Sequence, residues 1–98
     1  MDDQVNEQEV KHMAELTSMR NIGKEMAKKL TAVGIDSAEK LLEIGSKQAF
    51  FRLKAAYPQV CLVHLYSLEG AVQNTEFHSL SAAKKKELKA FSDSLKAD

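Results

Sequence analysis

The stretch Arg20-Asn21-Ile22-Gly23-Lys24, with Lys28 one turn further on, carries the residue types of a turn that grips phosphate. A turn built on glycine, an aliphatic residue and glycine curls the backbone where positive φ costs little. The free N–H groups that open the following helix, and the positive end of its dipole, then suit an anionic oxygen. Asn21 stands where such a turn has a glycine, and asparagine tolerates the left-handed region well. Ile22 is the aliphatic anchor. The backbone donors of Ile22, Gly23 and Lys24, with the charges of Arg20, Lys24 and Lys28, would contact a DNA duplex without reading bases. A second basic group, Lys84, Lys85, Lys86 and Lys89, is first of all a solvated helix face. It extends the phosphate surface only if the last helix folds near the turn. The competing structural reading is a plain connection between two helices.

Other chemistries find less support. Cys61 and His64 share one helix face at C-x-x-H spacing, but a metal needs three or four ligands, and His12 and His78 stand at no diagnostic distance. A cysteine in an apolar helix reads as a small hydrophobe, and His64 as a packing residue or a partner for a carbonyl. Glu69, between Leu68 and Gly70, reads as the partner of a nearby base or as a helix cap. The four glycines are isolated, so no phosphate loop of the nucleotide-binding type is present. No cofactor, metal or catalytic residue is expected, and the chain reads as non-enzymatic. Six aromatic residues at mostly core spacings give little for base stacking. Phe51 is the exception, because its neighbour Phe50 fits the buried face better.

The elements that must position these residues read as helices throughout. Residues 1–12 form a polar, frayed segment, and 13–98 a single domain. Val10, Met13 and Leu16 mark a first helix ending near Ser18. Ile22, Met26, Leu30 and Val33, with Ala27, mark the inner face of a second, which Gly34 stops through a left-handed cap. Asp36 or Ser37 caps a third helix carrying Leu41, Leu42 and Ile44, which stops at Gly45. A fourth, from about Ser46, buries Ala49, Phe50, Leu53 and Tyr57 and ends at Pro58. The proline can open a fifth helix, apolar on most sides and therefore central. Ser79 or Ser81 caps the last, with Ala83, Leu88, Phe91 and Leu95 inside. The expectation is an all-α, compact bundle of five or six short helices, beginning with a helix-hairpin-helix-like unit.

The 98 residues carry 14 Lys and Arg against 14 Asp and Glu, a formal net charge of zero. Strong sequence-independent DNA binding needs a basic surface, so any such binding here is weak. A single cysteine excludes an intrachain disulfide and points to a reducing cytoplasm. No secretory signal is visible, and no apolar run approaches the roughly 20 residues that span a bilayer. The alternative to weak duplex contact is an adaptor that binds a protein partner or a second copy of itself through apolar surface.

The longer pattern is more specific than the turn. "LTSMRNIGKEMAKKLTAVGIDSAEKLLEIGSKQAFFRLKA" followed by "LVHLYSLEGAVQNTEFHSLSAAKKKELKAF" resembles the C-terminal domain of the TfoX (Sxy) competence regulators. The match runs over roughly residues 14–92 and rests on the Asn-Ile-Gly turn, the Gly34-Ile35 stop, "IGSKQAFFRL" and "LYSLEGA". The resemblance implies a small all-α domain from bacterial proteins tied to DNA uptake and transcription regulation. It brings no catalytic positions. Longer members also carry an N-terminal domain of another fold, for which this chain leaves no room.

Overall fold

A computed structural model describes residues 15–96, and the chain there is all-α. The segment 1–12, Val10 and Met13 lie outside the described residues. The first helix, α1, is described over residues 15–17, with Leu16 fully buried. Helix α2 is Lys24–Ala32, α3 Ala38–Ala56, α4 Leu62–Gln73 and α5 Ala82–Lys96, with a short 3₁₀ turn at Phe77–Ser79.

Most boundaries follow from local chemistry. Helix α2 ends in a Schellman cap: Ile35 N–H donates to the Leu30 carbonyl at 2.8 Å and Gly34 N–H to that of Thr31 at 3.1 Å. Gly34 holds φ +90° to allow this. Leu30 and Ile35, at either end of the cap, are both buried. Ser37 caps α3 by accepting from Lys40 N–H at 3.0 Å, and Ser81 caps α5 by accepting from Lys84 N–H at 3.1 Å. Within α3, Gly45 at φ 85° and ψ 167° breaks the helix into the two segments the sequence calls for. Asn74 ends α4 in the left-handed region, with Thr75 N–H donating to the Gly70 carbonyl at 2.8 Å.

Helix α4 is the hub, packing on α3, on the 3₁₀ turn and on α5. Its Leu65, Leu68 and Ala71 meet Leu16, Ile22, Leu30, Leu41, Phe50, Leu53 and Leu88 in one continuous core. Each fully buried leucine contributes on the order of 1.5–3 kcal/mol by leaving water. Several inner assignments need correction. Pro58 lies in a turn and α4 starts four residues later, because Val60 is drawn into the core and Lys54 Nζ donates to the Pro58 and Val60 carbonyls at 2.7 and 2.8 Å. Cys61 therefore stands before the helix, exposed, and is not a core hydrophobe. Val63 is 53% exposed, so helix α4 is not buried all round, and Leu42 of α3 is exposed to the same degree. Ala83 is exposed, while Phe91 and Leu95 are half-buried at the edge of the core. Phe51 is exposed and Phe50 buried, as the spacing predicts.

Candidate functional site

The turn between α1 and α2 is shaped by Asn21, at φ 69°. Ile22 N–H closes it onto the Met19 carbonyl at 3.3 Å, so this donor is already used and is not free for a phosphate. Gly23 has φ −89°, a value open to any residue, so the turn's only left-handed position is Asn21. Ile22 is buried as an anchor.

The Asn21 side chain faces inward. Its Nδ2 donates to the Thr75 carbonyl at 2.9 Å and to the Ser67 carbonyl at 3.4 Å, which ties the turn to the C-terminal end of α4. Gly70 leaves the room for this. A Cβ there would run into the Asn21 amide and stand 2.7 Å from the Thr75 oxygen. Asparagine thus serves twice: it tolerates the left-handed backbone, and its amide satisfies two carbonyls. Next to it, Arg20 Nη1 pairs with Glu76 Oε2 at 2.8 Å, with both side chains about half exposed. Residues 20 and 21 are therefore held side by side against 75 and 76. Nothing local in the sequence signals Glu76, Thr75 or Gly70, which lie some fifty residues from the turn.

Helix α2 opens at Gly23, which offers no side-chain acceptor to the first-turn N–H groups. That leaves donors for solvent or for an anion. Lys24 and Lys28 are exposed and have no acidic partner among the described residues. Lys29 lies with Nζ 5.7 Å from the centre of the Tyr57 ring. An open groove of about 440 Å³ runs along this end of α2, lined by Gly23, Lys24, Glu25 and Lys29 and, from α4, by Val63 and His64. The His64 ring does not meet a carbonyl: Cys61 N–H donates to its Nδ1 at 3.0 Å, closing the first turn of α4 from within.

The second basic group, on α5, is largely engaged. Lys84 pairs with Glu87 at 3.2 Å and approaches Glu69 at 4.0 Å, and Lys89 pairs with Asp93 at 2.9 Å. Lys85 Nζ donates to the His78 carbonyl at 3.4 Å, while Lys86 is exposed. Hydrogen bonds from Lys47 and then Lys84 hold the Glu87 carboxyl below the ordinary glutamate range. Its bond to Asp93 raises Lys89. Glu69, only 12% exposed, accepts from Ser46 Oγ at 2.5 Å and from the Gln73 amide. It joins the start of the second α3 segment to α4 and α5. Among the described residues, no group of three or more His, Cys, Asp or Glu could hold a metal, and no helix is long and apolar enough to cross a membrane.

The family described as the TfoX C-terminal domain matches residues 12–92. The chain belongs to this family. No curated protein matches it significantly. Among solved structures, an uncharacterized protein from Listeria monocytogenes in a triclinic crystal is 44% identical, with a TM-score of 0.82 over 84% of this chain and 93% of that one. A protein of unknown function from Listeria monocytogenes in a tetragonal crystal is 45% identical, with a TM-score of 0.80 over 82% and 99%. These likenesses extend the TfoX-type fold to proteins without an assigned role.

Proposed function

We propose that this TfoX-type domain is a non-enzymatic, cytoplasmic regulatory module that contacts the DNA backbone weakly and without sequence preference. Its contact is the helix-hairpin-helix-like turn at the start of α2. One observation carries the reading: α2 begins on an uncapped glycine, with Lys24 and Lys28 exposed beside its free first-turn donors. The donors are those of Gly23 and Lys24 and the first turn behind them, since Ile22 N–H is used within the turn. Asn21 builds the turn and does not touch the ligand. A phosphate there meets oriented N–H groups, the positive helix end and two exposed ammonium groups. The test is fluorescence anisotropy of a labelled duplex at low and near-physiological salt. Lys24→Glu should remove salt-sensitive binding, and unchanged affinity would take this surface out of consideration.

A second reading, an adaptor for a protein partner or a second copy of the chain, is favoured by one observation. Leu42, Phe51 and Val63 are each about half exposed. Single exposed hydrophobes are ordinary on a protein surface, so the duplex reading leads. Sedimentation that stays monomeric across micromolar concentrations would count against self-association.

A further inference from the structure

The Arg20–Glu76 pair bears directly on how strongly the turn can hold DNA. Glu76 follows the left-handed cap at Asn74 and the Thr75 carbonyl that Asn21 binds, so its carboxylate is delivered to the turn by two fixed contacts. There it takes the Nη1 of the one arginine flanking the turn, at 2.8 Å. The pair joins positions 56 residues apart, across the seam between the turn and the end of α4. A carboxylate oxygen on a guanidinium offers the same charge and acceptor geometry as a phosphate oxygen. Both side chains remain about half exposed, so the guanidinium is open to solvent while paired.

We propose that Glu76 is an internal competitor for phosphate, which keeps Arg20 out of the DNA contact and sets the module's affinity low. The inference rests on the duplex-binding reading above. It explains how a turn flanked by three cations presents only two of them, Lys24 and Lys28. Releasing Arg20 adds one phosphate contact, which steepens the dependence of log affinity on log salt by about 0.9.

The experiment is a salt series of duplex titrations on the wild type, Glu76→Gln, the double variant Arg20→Gln/Glu76→Gln, and Glu87→Gln. The last removes an equal charge from the Lys47 and Lys84 cluster, which includes no residue of the turn. Glu76→Ala duplicates the first variant with a different side chain, and thermal melts confirm that each is folded. Glu76→Gln should bind more tightly than wild type, by a ratio that grows about 3.5-fold as salt falls from about 200 to about 50 mM. The double variant should return to wild-type binding, and Glu87→Gln should show no steeper slope. A gain that survives in the double variant means that Glu76 acts without Arg20, and a gain that Glu87→Gln reproduces means simple charge repulsion; either overturns the proposal. Wild-type binding with no change in either Glu76 variant overturns it while leaving the duplex reading intact. No binding by any variant at low salt overturns both.

Discussion

Replacing Lys24 by glutamate and following duplex binding across a salt series puts the turn to a quantitative test. Each phosphate neutralised contributes about −0.9 to the slope of log affinity against log salt, through release of condensed counterions. Among the described residues Lys24 and Lys28 of α2 have no acidic partner, and Arg20 is held by Glu76. Two contacts give a slope of about −1.8, so affinity should fall about 12-fold between roughly 50 and 200 mM salt. If Lys84, Lys85, Lys86 and Lys89 also reached the backbone, six contacts would give about −5.4 and a loss on the order of 2,000-fold. The ion pairs of Lys84 with Glu69 and Glu87 and of Lys89 with Asp93, and the bond of Lys85 to the His78 carbonyl, argue for the smaller figure. Lys24→Glu removes one contact, so its slope should flatten to about −0.9, and the introduced carboxylate should lower affinity at every salt concentration. Anisotropy of a labelled duplex of about 20 base pairs reads both quantities. A wild-type slope near −5, or one unchanged by Lys24→Glu, would refute the placement of the contact at α2.

Four further outcomes follow from the same geometry. Gly70→Ala should destabilise the fold by about 1–3 kcal/mol through overpacking against Asn21 and Thr75. Helix propensity alone predicts stabilisation by about 1 kcal/mol, so the sign of the change in a denaturant melt decides. Asn21→Asp keeps a residue that tolerates positive φ but turns the donor toward two carbonyls into an acceptor, and should cost about 1–3 kcal/mol; Asn21→Gly should cost less, because it relieves the backbone. Glu69→Ala should lower stability by about 1–3 kcal/mol by stripping Ser46 of its acceptor. Adding Ser46→Ala should then cost little more, and full additivity in that cycle would mean the two side chains do not interact. Glu87 has a lowered pKa in the folded state, so its contribution is present above the ordinary glutamate value and is lost as pH falls through the lowered one. Glu87→Gln should flatten that acid limb in thermal melts, and a limb of unchanged steepness would show that the Lys47 and Lys84 pairs add nothing to stability.

The helices and most of their ends are set by chemistry local to the chain. Ser37, Ser81, Gly34 and Gly45 act within three or four residues, so capping and left-handed stops are visible wherever those residue types fall. Helical spacing also marked Phe50 against Phe51, because adjacent residues point about 100° apart on a helix. It could not separate Leu41 from Leu42, since both fit an apolar stripe and only the neighbouring helices decide how wide that stripe needs to be. Pro58 misled in the same way. Proline is permitted in a first turn, but a buried Val60 and the reach of Lys54 delayed α4 until Leu62. At the turn, the residue types were legible and their duties were not. Asn21 is read locally as a substitute for glycine, yet its amide is committed to carbonyls 46 and 54 residues away. Arg20 is read as a free cation, yet a glutamate beyond α4 holds it. Counting charges needs only the chain, whereas knowing which charges remain open to a phosphate needs the fold, because ion pairing falls off over a few ångströms of space and takes no account of distance along the sequence.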